Sequence, residues 1–302
     1  MREYLENFLR DFEYAEECRE LLVSCYGAIS ADTHRSDILN EALTAYNNDR
    51  NVGYFVMEEY VKRICDGSEY HEYTVWLLVY ILMTERLREL YLQNGISLDI
   101  WRDGINDLKT KAEECKDIKG IYGTFVSSWF PNLFRLRRFT FGRLQFELSH
   151  FSEDKFECSD GTVLKSKDRV IAVHIPRSSM PLSKQNCDGA YEAAADFFAN
   201  EFQGEKVVFT CSSWMLYPKN SEILHERSNT RRFGEEYEIV TVTYHEAGEY
   251  PEAWRIFDVE FGGDIASLPE NTFLQKAYKK YMLDGGITGR AYGVKLLQKK
   301  AE

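Results

Sequence analysis

The stretch from Asp168 to Pro218 limits what this chain can fold into more than any other. It reads DRVIAVHIP, then RSSMPLSKQNCDGAYEAAADFFANEFQGE, then KVVFTCSSWMLYP. Two short apolar runs flank a polar loop and a helix-forming segment. Such a βαβ unit pairs its strands in parallel and crosses over with a fixed hand. Both strand ends then lie on one edge of a sheet, beside the helix N-terminus. Ligands of α/β proteins bind at that edge. His174, Ile175 and Pro176 end the first run; Cys211, Ser212, Ser213 and Trp214 end the second. The chain therefore gathers polar groups where a small molecule would sit.

The rest of the chain falls into two patterns. Residues 1 to about 118 have helical periodicity. Leu5, Phe8, Leu9, Phe12, Ala15 and Leu22 make one apolar stripe, and Asp37–Asn48, Tyr54–Cys65, Tyr70–Gln93 and Leu98–Lys116 read as further helices. Asn94-Gly95 is a stop for the long helix and Ser97 an N-cap for the next. From Phe134 the pattern changes to period two, with LRRFTFGRLQFELSHF as two short strands or one bent one and a turn at Ser159-Asp160-Gly161. Beyond the βαβ unit, Glu236–His245 and Ala253–Phe261 read as an antiparallel hairpin, followed by a helix from Asn271 to Leu283. The glycine-rich GGITGRAYG, Gly285–Gly293, follows a helix rather than a strand. It fails the dinucleotide-loop geometry and reads as a loop before a basic tail.

Charge agrees with the division. Residues 1–118 carry 13 Lys+Arg and 24 Asp+Glu, a net of 13 − 24 = −11; the remaining 24 and 25 give −1. This step places a domain boundary near Lys119, giving domains 1–118 and 119–302. A total of −12 argues against a nucleic-acid partner. The longest apolar run, Val75–Met83, is too short to cross a bilayer and reads as a buried helix. Seven cysteines without a CxxC pair, and an acidic N-terminus without an apolar leader, point to a cytoplasmic protein with reduced thiols. His34, His71, His150, His225 and His245 are scattered without ligand spacing, so no metal site is expected.

Three segments carry a resemblance. GRLQFEL at Gly142–Leu148, VHIP at Val173–Pro176 and FTCSSWMLYP at Phe209–Pro218 resemble a bacterial acyltransferase-like family. Its members join a helical N-acyltransferase N-terminal domain to a GNAT-like (Gcn5-related N-acetyltransferase) C-terminal domain. The likeness covers nearly the whole chain. It implies an α+β fold, an all-helical domain followed by a mixed α/β GNAT-like domain. It also implies transfer of an acetyl or other acyl group from acyl-CoA to an amine by direct attack, with a small-molecule or protein amine as acceptor.

By the same likeness, the strand Arg169–Pro176 would bind the pantetheine arm through backbone groups such as those of Ile175. Arg177–Gln185 would hold the pyrophosphate, with Arg177, Ser178, Ser179, Ser183 and Lys184 as donors. Val207–Trp214 would splay away to open a cleft for the thioester. Tyr217 would stand near the acid that protonates the departing thiolate. The usual phosphate loop of that family has Arg or Gln, two residues, Gly, one residue, then Gly or Ala. This chain has RSSMPLSKQ, with no glycine before Gly189. What it keeps is a helix N-terminus, capped by Ser183, with free amides and a positive dipole end.

Chemistry narrows the candidates. His174 is the histidine of the cleft strand and suits a general base; the plainer alternative is a histidine satisfied by a neighbouring strand. Cys211 is either an acyl-accepting nucleophile or a small buried thiol. Ser213 would orient the thioester or thiolate. Tyr217 is a general-acid candidate by position. Arg143 and Gln145 form a polar strand face that meets an acceptor or solvent. Arg231 and Arg232 would bind an acidic group or pair with Glu235 or Glu236. Two non-catalytic alternatives stay open: a GNAT-like ligand-binding or protein-interaction module, and a helical half whose acidity docks a basic protein.

Overall fold

The computed structural model describes residues 1–299. The chain divides into two compact units, residues 1–139 and 140 onward.

The first unit is helical. Its main helices are α1 (Arg2–Asp11), α2 (Glu16–Ala31), α3 (Thr33–Asn48), α4 (Tyr54–Cys65), α5 (Glu72–Gln93) and α6 (Leu98–Lys119); a short α7 (Pro131–Phe134) follows. The apolar run Val75–Met83 is buried all round in the middle of α5. That helix packs against α1, α2, α3, α4 and α6, which explains why its sequence lacks a polar stripe. Among the described residues no helix is long and apolar enough to cross a membrane. Ser97 caps α6 by accepting from the Asp99 amide, and Gly95 takes a left-handed φ of 66° after α5.

Two expectations for this unit change. The stripe Leu5–Leu22 is not one helix. The chain breaks at Phe12–Ala15, where Glu13 has a φ of 52° and the Tyr14 amide reaches back to the Leu9 carbonyl. The break lets both Phe12 and Tyr14 be buried. The charge step at Lys119 marks the end of α6, not the end of the unit. The segment that follows is tied to the helices by hydrogen bonds from Tyr80 Oη to the Ser127 carbonyl and from Tyr46 Oη to the Phe134 carbonyl, both 2.9 Å.

The second unit is built on a six-stranded mixed sheet. In chain order its elements are β1 (Arg138–Phe141), β2 (Leu144–His150), the small hairpin β3 (Lys155–Glu157) and β4 (Val163–Lys165), β5 (Arg169–His174), α8 (Lys184–Phe197), β6 (Lys206–Ser213), α9 (Asn220–Ile223), α10 (Asn229–Glu235), β7 (Glu238–Tyr244), α11 (Ala253–Phe257), α12 (Phe273–Leu283) and β8 (Gly289–Gln298). The strand order is β1-β2-β5-β6-β8-β7, with β3 and β4 apart as a separate pair. The expected parallel pair is β5 and β6; the other cross-strand registers, β2 with β5, β6 with β8 and β7 with β8, are antiparallel.

The end of the chain departs from the sequence expectation. Ala253–Phe257 is helical, and Ala253, Ile256 and Phe257, spaced three and four apart, bury one face beside Trp214, Tyr278 and Met282. The segment read as a loop and basic tail is instead β8, an inner strand of the sheet. The hairpin-like partner of β7 is therefore β8, reached through two helices. Glycine makes this possible. A Cβ at Gly289 would lie 2.6 Å from the Thr243 carbonyl oxygen and 2.7 Å from the Tyr217 ring. One at Gly293 would lie 3.0 Å from both Leu216 and Tyr237.

Candidate active site

The sheet has two faces, and parity assigns every strand residue to one of them. Cross-strand partners share a face: Phe146 with Val173, Leu148 with Ile171, and these with Cys211 and Phe209. This face is apolar and is covered by α8, whose Tyr191 ring lies 5.0 Å from Phe209 and 5.9 Å from Phe146. The opposite face carries Gln145 and Glu147 on β2, Ala172 and His174 on β5, Thr210 and Ser212 on β6, and Arg290 and Tyr292 on β8. This second face holds His174, Glu147 and Ser212, while Cys211, Ser213 and Lys295 share the first face with Phe209.

The two parallel strands part where the chemistry begins. Their ladder ends at Val173–Cys211, while β6 stays paired with β8 as far as Ser213–Ala291. On the other side β5 remains paired with β2 through Gln145–His174. Past Val173 the β5 backbone thus has no strand partner on its β6 side. His174 stands at the mouth of that gap. Its Nε2 lies 3.6 Å from Glu147 Oε2, with both side chains largely withdrawn from solvent. Glu147 was not singled out from sequence, although Arg143, Gln145 and Glu147 form one period-two series in GRLQFEL.

The loop after β5 is braced rather than glycine-lined. Ser183 caps α8, its Oγ accepting from the Asn186 amide at 3.3 Å, and Asn186 Nδ2 donates to the Pro181 carbonyl at 2.8 Å. Ser178 Oγ accepts from the Met180 amide at 3.0 Å. Ser178 and Ser179 are exposed; Ile175 and Arg177 are half-buried. No hydrogen bond within the described chain claims the amides of Lys184 and Gln185, so the helix end presents open donors. Lys184 itself is already engaged. Its Nζ sits 2.8 Å from Asp188 and 3.8 Å from Glu236, and the Asp188 hydrogen bond lifts its ammonium above the usual value. Of the two expectations for Arg143, an acceptor contact or solvent, the solvent face does not hold. Arg143 is buried, and Nη1 donates to the Pro176 carbonyl at 2.7 Å, fixing the point where the loop leaves β5.

Three candidates have structural duties. Burial pushes the Cys211 thiol up to about 12, and the side chain lies on the α8-facing side, the setting of a core thiol rather than a thiolate. Ser213 Oγ accepts from the Met215 amide at 3.1 Å and caps the turn after β6. Tyr217 is buried, and its hydroxyl donates to the Ile287 carbonyl at 2.8 Å. Burial first, then neighbouring Tyr281, raises its phenol well above the ordinary range. Arg231 pairs with Glu235 at 2.7 Å, the plainer of its two readings.

Comparison with known proteins agrees with this architecture. Residues 3–136 match the N-acyltransferase N-terminal domain, and residues 138–295 match the GNAT-like C-terminal domain. The chain belongs to this family of acyltransferases. Its helical unit is the N-acyltransferase N-terminal domain, and its sheet is the GNAT-like domain. No curated protein sequence matches it significantly. Two solved structures are similar. One is a mutant acyltransferase in complex with octanoyl-CoA: 20% identity, 98% of this chain and 88% of that chain covered, TM-score 0.73. The other is an acyltransferase in complex with decanoyl-CoA and teicoplanin: 21% identity, 96% and 87% covered, TM-score 0.73. At such identities the likeness is one of fold.

Proposed function

We propose that this protein transfers an acyl group from acyl-CoA directly to the amine of a small molecule, with His174 as general base. The observation that carries this reading is the parting of β5 and β6 beyond Val173–Cys211, with His174 and Glu147 at its mouth. In the gap, the unpaired β5 backbone at His174 and Ile175 would hydrogen-bond the pantetheine amides. The Lys184 and Gln185 amides, with Arg177 nearby in sequence and the α8 dipole, would face the pyrophosphate.

The step itself is simple. The amine nitrogen forms a bond to the thioester carbonyl carbon as its proton passes to His174. The carbon–sulfur bond then breaks, and the sulfur leaves with the electron pair as a thiolate that water can protonate. Donors around the gap stabilise the oxyanion in between. Direct attack is favoured over an acyl-cysteine route because Cys211 is held as a buried thiol. Tyr217 is not required as the acid, since its hydroxyl is committed to Ile287.

We further propose a medium-chain acyl group in preference to acetyl, because the similar solved structures hold octanoyl- or decanoyl-CoA. A structure of that kind with teicoplanin supports a small-molecule acceptor rather than a protein. Seven unpaired thiols support a reducing, cytoplasmic setting. Free-thiol release from acetyl-, octanoyl- and decanoyl-CoA over a panel of amines tests the reading. Faster turnover of the longer thioesters is expected. Failure of every acyl-CoA to bind by calorimetry at high micromolar concentration would overturn it.

A further inference from the structure

The polar face of the sheet extends past His174 to a cation that has no carboxylate partner. Arg290, on β8, donates from Nη2 to Ser212 Oγ at 3.1 Å and to the Ser212 carbonyl at 3.3 Å. These are its side-chain hydrogen bonds, and among the described residues it forms no ion pair. The side chain is exposed. Arg169, Arg231 and Arg255 of the same unit each meet a glutamate, whereas Arg290 is an exposed arginine on this face of the sheet with none. Ser212 steadies the guanidinium through Nη2 alone. Nη1 and Nε make no hydrogen bond within the described chain and remain as charged donors for a carboxylate.

Register puts this guanidinium on the same face as the proposed base. Continuing the β5–β6 register one residue past Val173–Cys211 brings His174 opposite Ser212, across the gap. On β8 the partner of Ser212 is Tyr292, and Arg290 lies two residues beyond it, so two strand spacings and two residue rises put it roughly 12 Å from the His174 backbone. The face between and beyond them is hydroxyl-rich. Thr241 and Thr243 on β7 are cross-strand partners of Tyr292 and Arg290, and both are exposed. The flanking strands each place one carboxylate on this face, Glu147 on β2, which faces His174, and Glu238 on β7, which accepts from Ser159; β5, β6 and β8 add none.

We propose that Arg290 is the specificity-determining residue for the acyl acceptor, and that the acceptor is an amine that also bears a carboxylate. The inference rests on His174 marking where the amine is acylated. Arg290 holds the carboxylate through its free donors, the stem crosses Ser212 and Tyr292, and the amine is left beside His174. No bond is made or broken at Arg290, so its contribution appears in acceptor binding and not in the chemical step.

The test uses ω-amino acids of increasing chain length, each beside its carboxamide twin, with octanoyl-CoA and the full-length protein. Binding of each amine to the CoA-loaded protein is measured by calorimetry, and transfer by thiol release. The carboxylate twin is expected to have a KM lower by a factor of roughly 10 to 100, the value of a charge-assisted pair, with an optimum at one chain length. Arg290→Gln should collapse that ratio towards one. Arg290→Lys, which keeps the charge but has a single donor nitrogen, should restore part of it. Transfer without any preference for the carboxylate, or a preference that survives Arg290→Gln, overturns the assignment of Arg290 while leaving acyl transfer standing. Arg290-dependent binding without transfer upholds the carboxylate site and overturns the acyl-transfer reading. Absence of both binding and transfer overturns the two together.

Discussion

The two faces of the GNAT-like sheet differ by a single step along each strand, yet they do different work. The face under α8 is made of Phe146, Ile171, Val173, Phe209 and Cys211, all buried. The opposite face holds Gln145 and Thr210, also buried, together with Glu147, His174, Ser212 and Arg290, none of which is fully buried. One strand therefore alternates residues packed under α8 with residues proposed to face a substrate. Proximity in sequence accordingly says little about role here. Cys211 and Ser212 are neighbours, but one is a core thiol and the other anchors an exposed guanidinium.

Cutting each face once puts this contrast at greatest risk. Phe209→Ala removes a fully buried ring that meets Phe146 and Tyr191. A loss of about 3–5 kcal/mol in denaturant unfolding is expected. His174→Gln should lower kcat by roughly 10² to 10⁴ while unfolding stays within about 1 kcal/mol of wild type. If His174→Gln instead unfolds the protein and leaves kcat per folded molecule intact, His174 belongs with the core.

Cys211 offers an intermediate effect with a pH signature. Its folded thiol holds its proton to about 12, against an ordinary 9.0, because burial disfavours the thiolate. The unfolded thiol ionises first, so stability is intact below pH 9 and falls as pH rises above it. Cys211→Ala should remove that part of the alkaline loss, a difference of about 1 kcal/mol by about pH 10. It should also leave acyl transfer within twofold. An acyl adduct on Cys211, seen by mass spectrometry of wild type mixed with octanoyl-CoA, would overturn direct attack.

How much of this is legible in the chain follows the same physics. The helices of the first unit announce themselves through apolar periodicity and caps, and Tyr54–Cys65 has the bounds expected of it. The βαβ unit is legible because an apolar strand, a capped helix and a second strand are local patterns. β8 is not legible, because GGITGRAYG joins the sheet through non-local fit, with Gly289 and Gly293 giving room to Thr243, Tyr217 and Tyr237. Ala253–Phe257 misleads because AWRIFDVEF also satisfies a period of two; tertiary burial beside Tyr278 decides for the helix. Within the site, His174 is readable from its strand end. Glu147 and Arg290 become visible only when register brings three separate strands together.

The smallest predicted effect separates a cap from an anion site at α8. Ser183 does two things at once: its Oγ accepts from the Asn186 amide, and it leaves the Lys184 and Gln185 amides open at the helix end. Ser183→Ala loses the cap, which costs about 1 kcal/mol of stability and loosens the first turn. Ser183→Asp keeps an acceptor for the Asn186 amide and suits the positive end of the dipole, so stability should match wild type. The new carboxylate, however, would stand where the pyrophosphate is proposed to bind. If those amides receive CoA, Ser183→Asp should raise KM for acyl-CoA more than Ser183→Ala does, with kcat unchanged, and added salt should shrink the difference. Equal KM values for the two variants would mean that the α8 N-terminus takes no part in holding the phosphates. The glycine-poor loop would then have replaced that contact altogether.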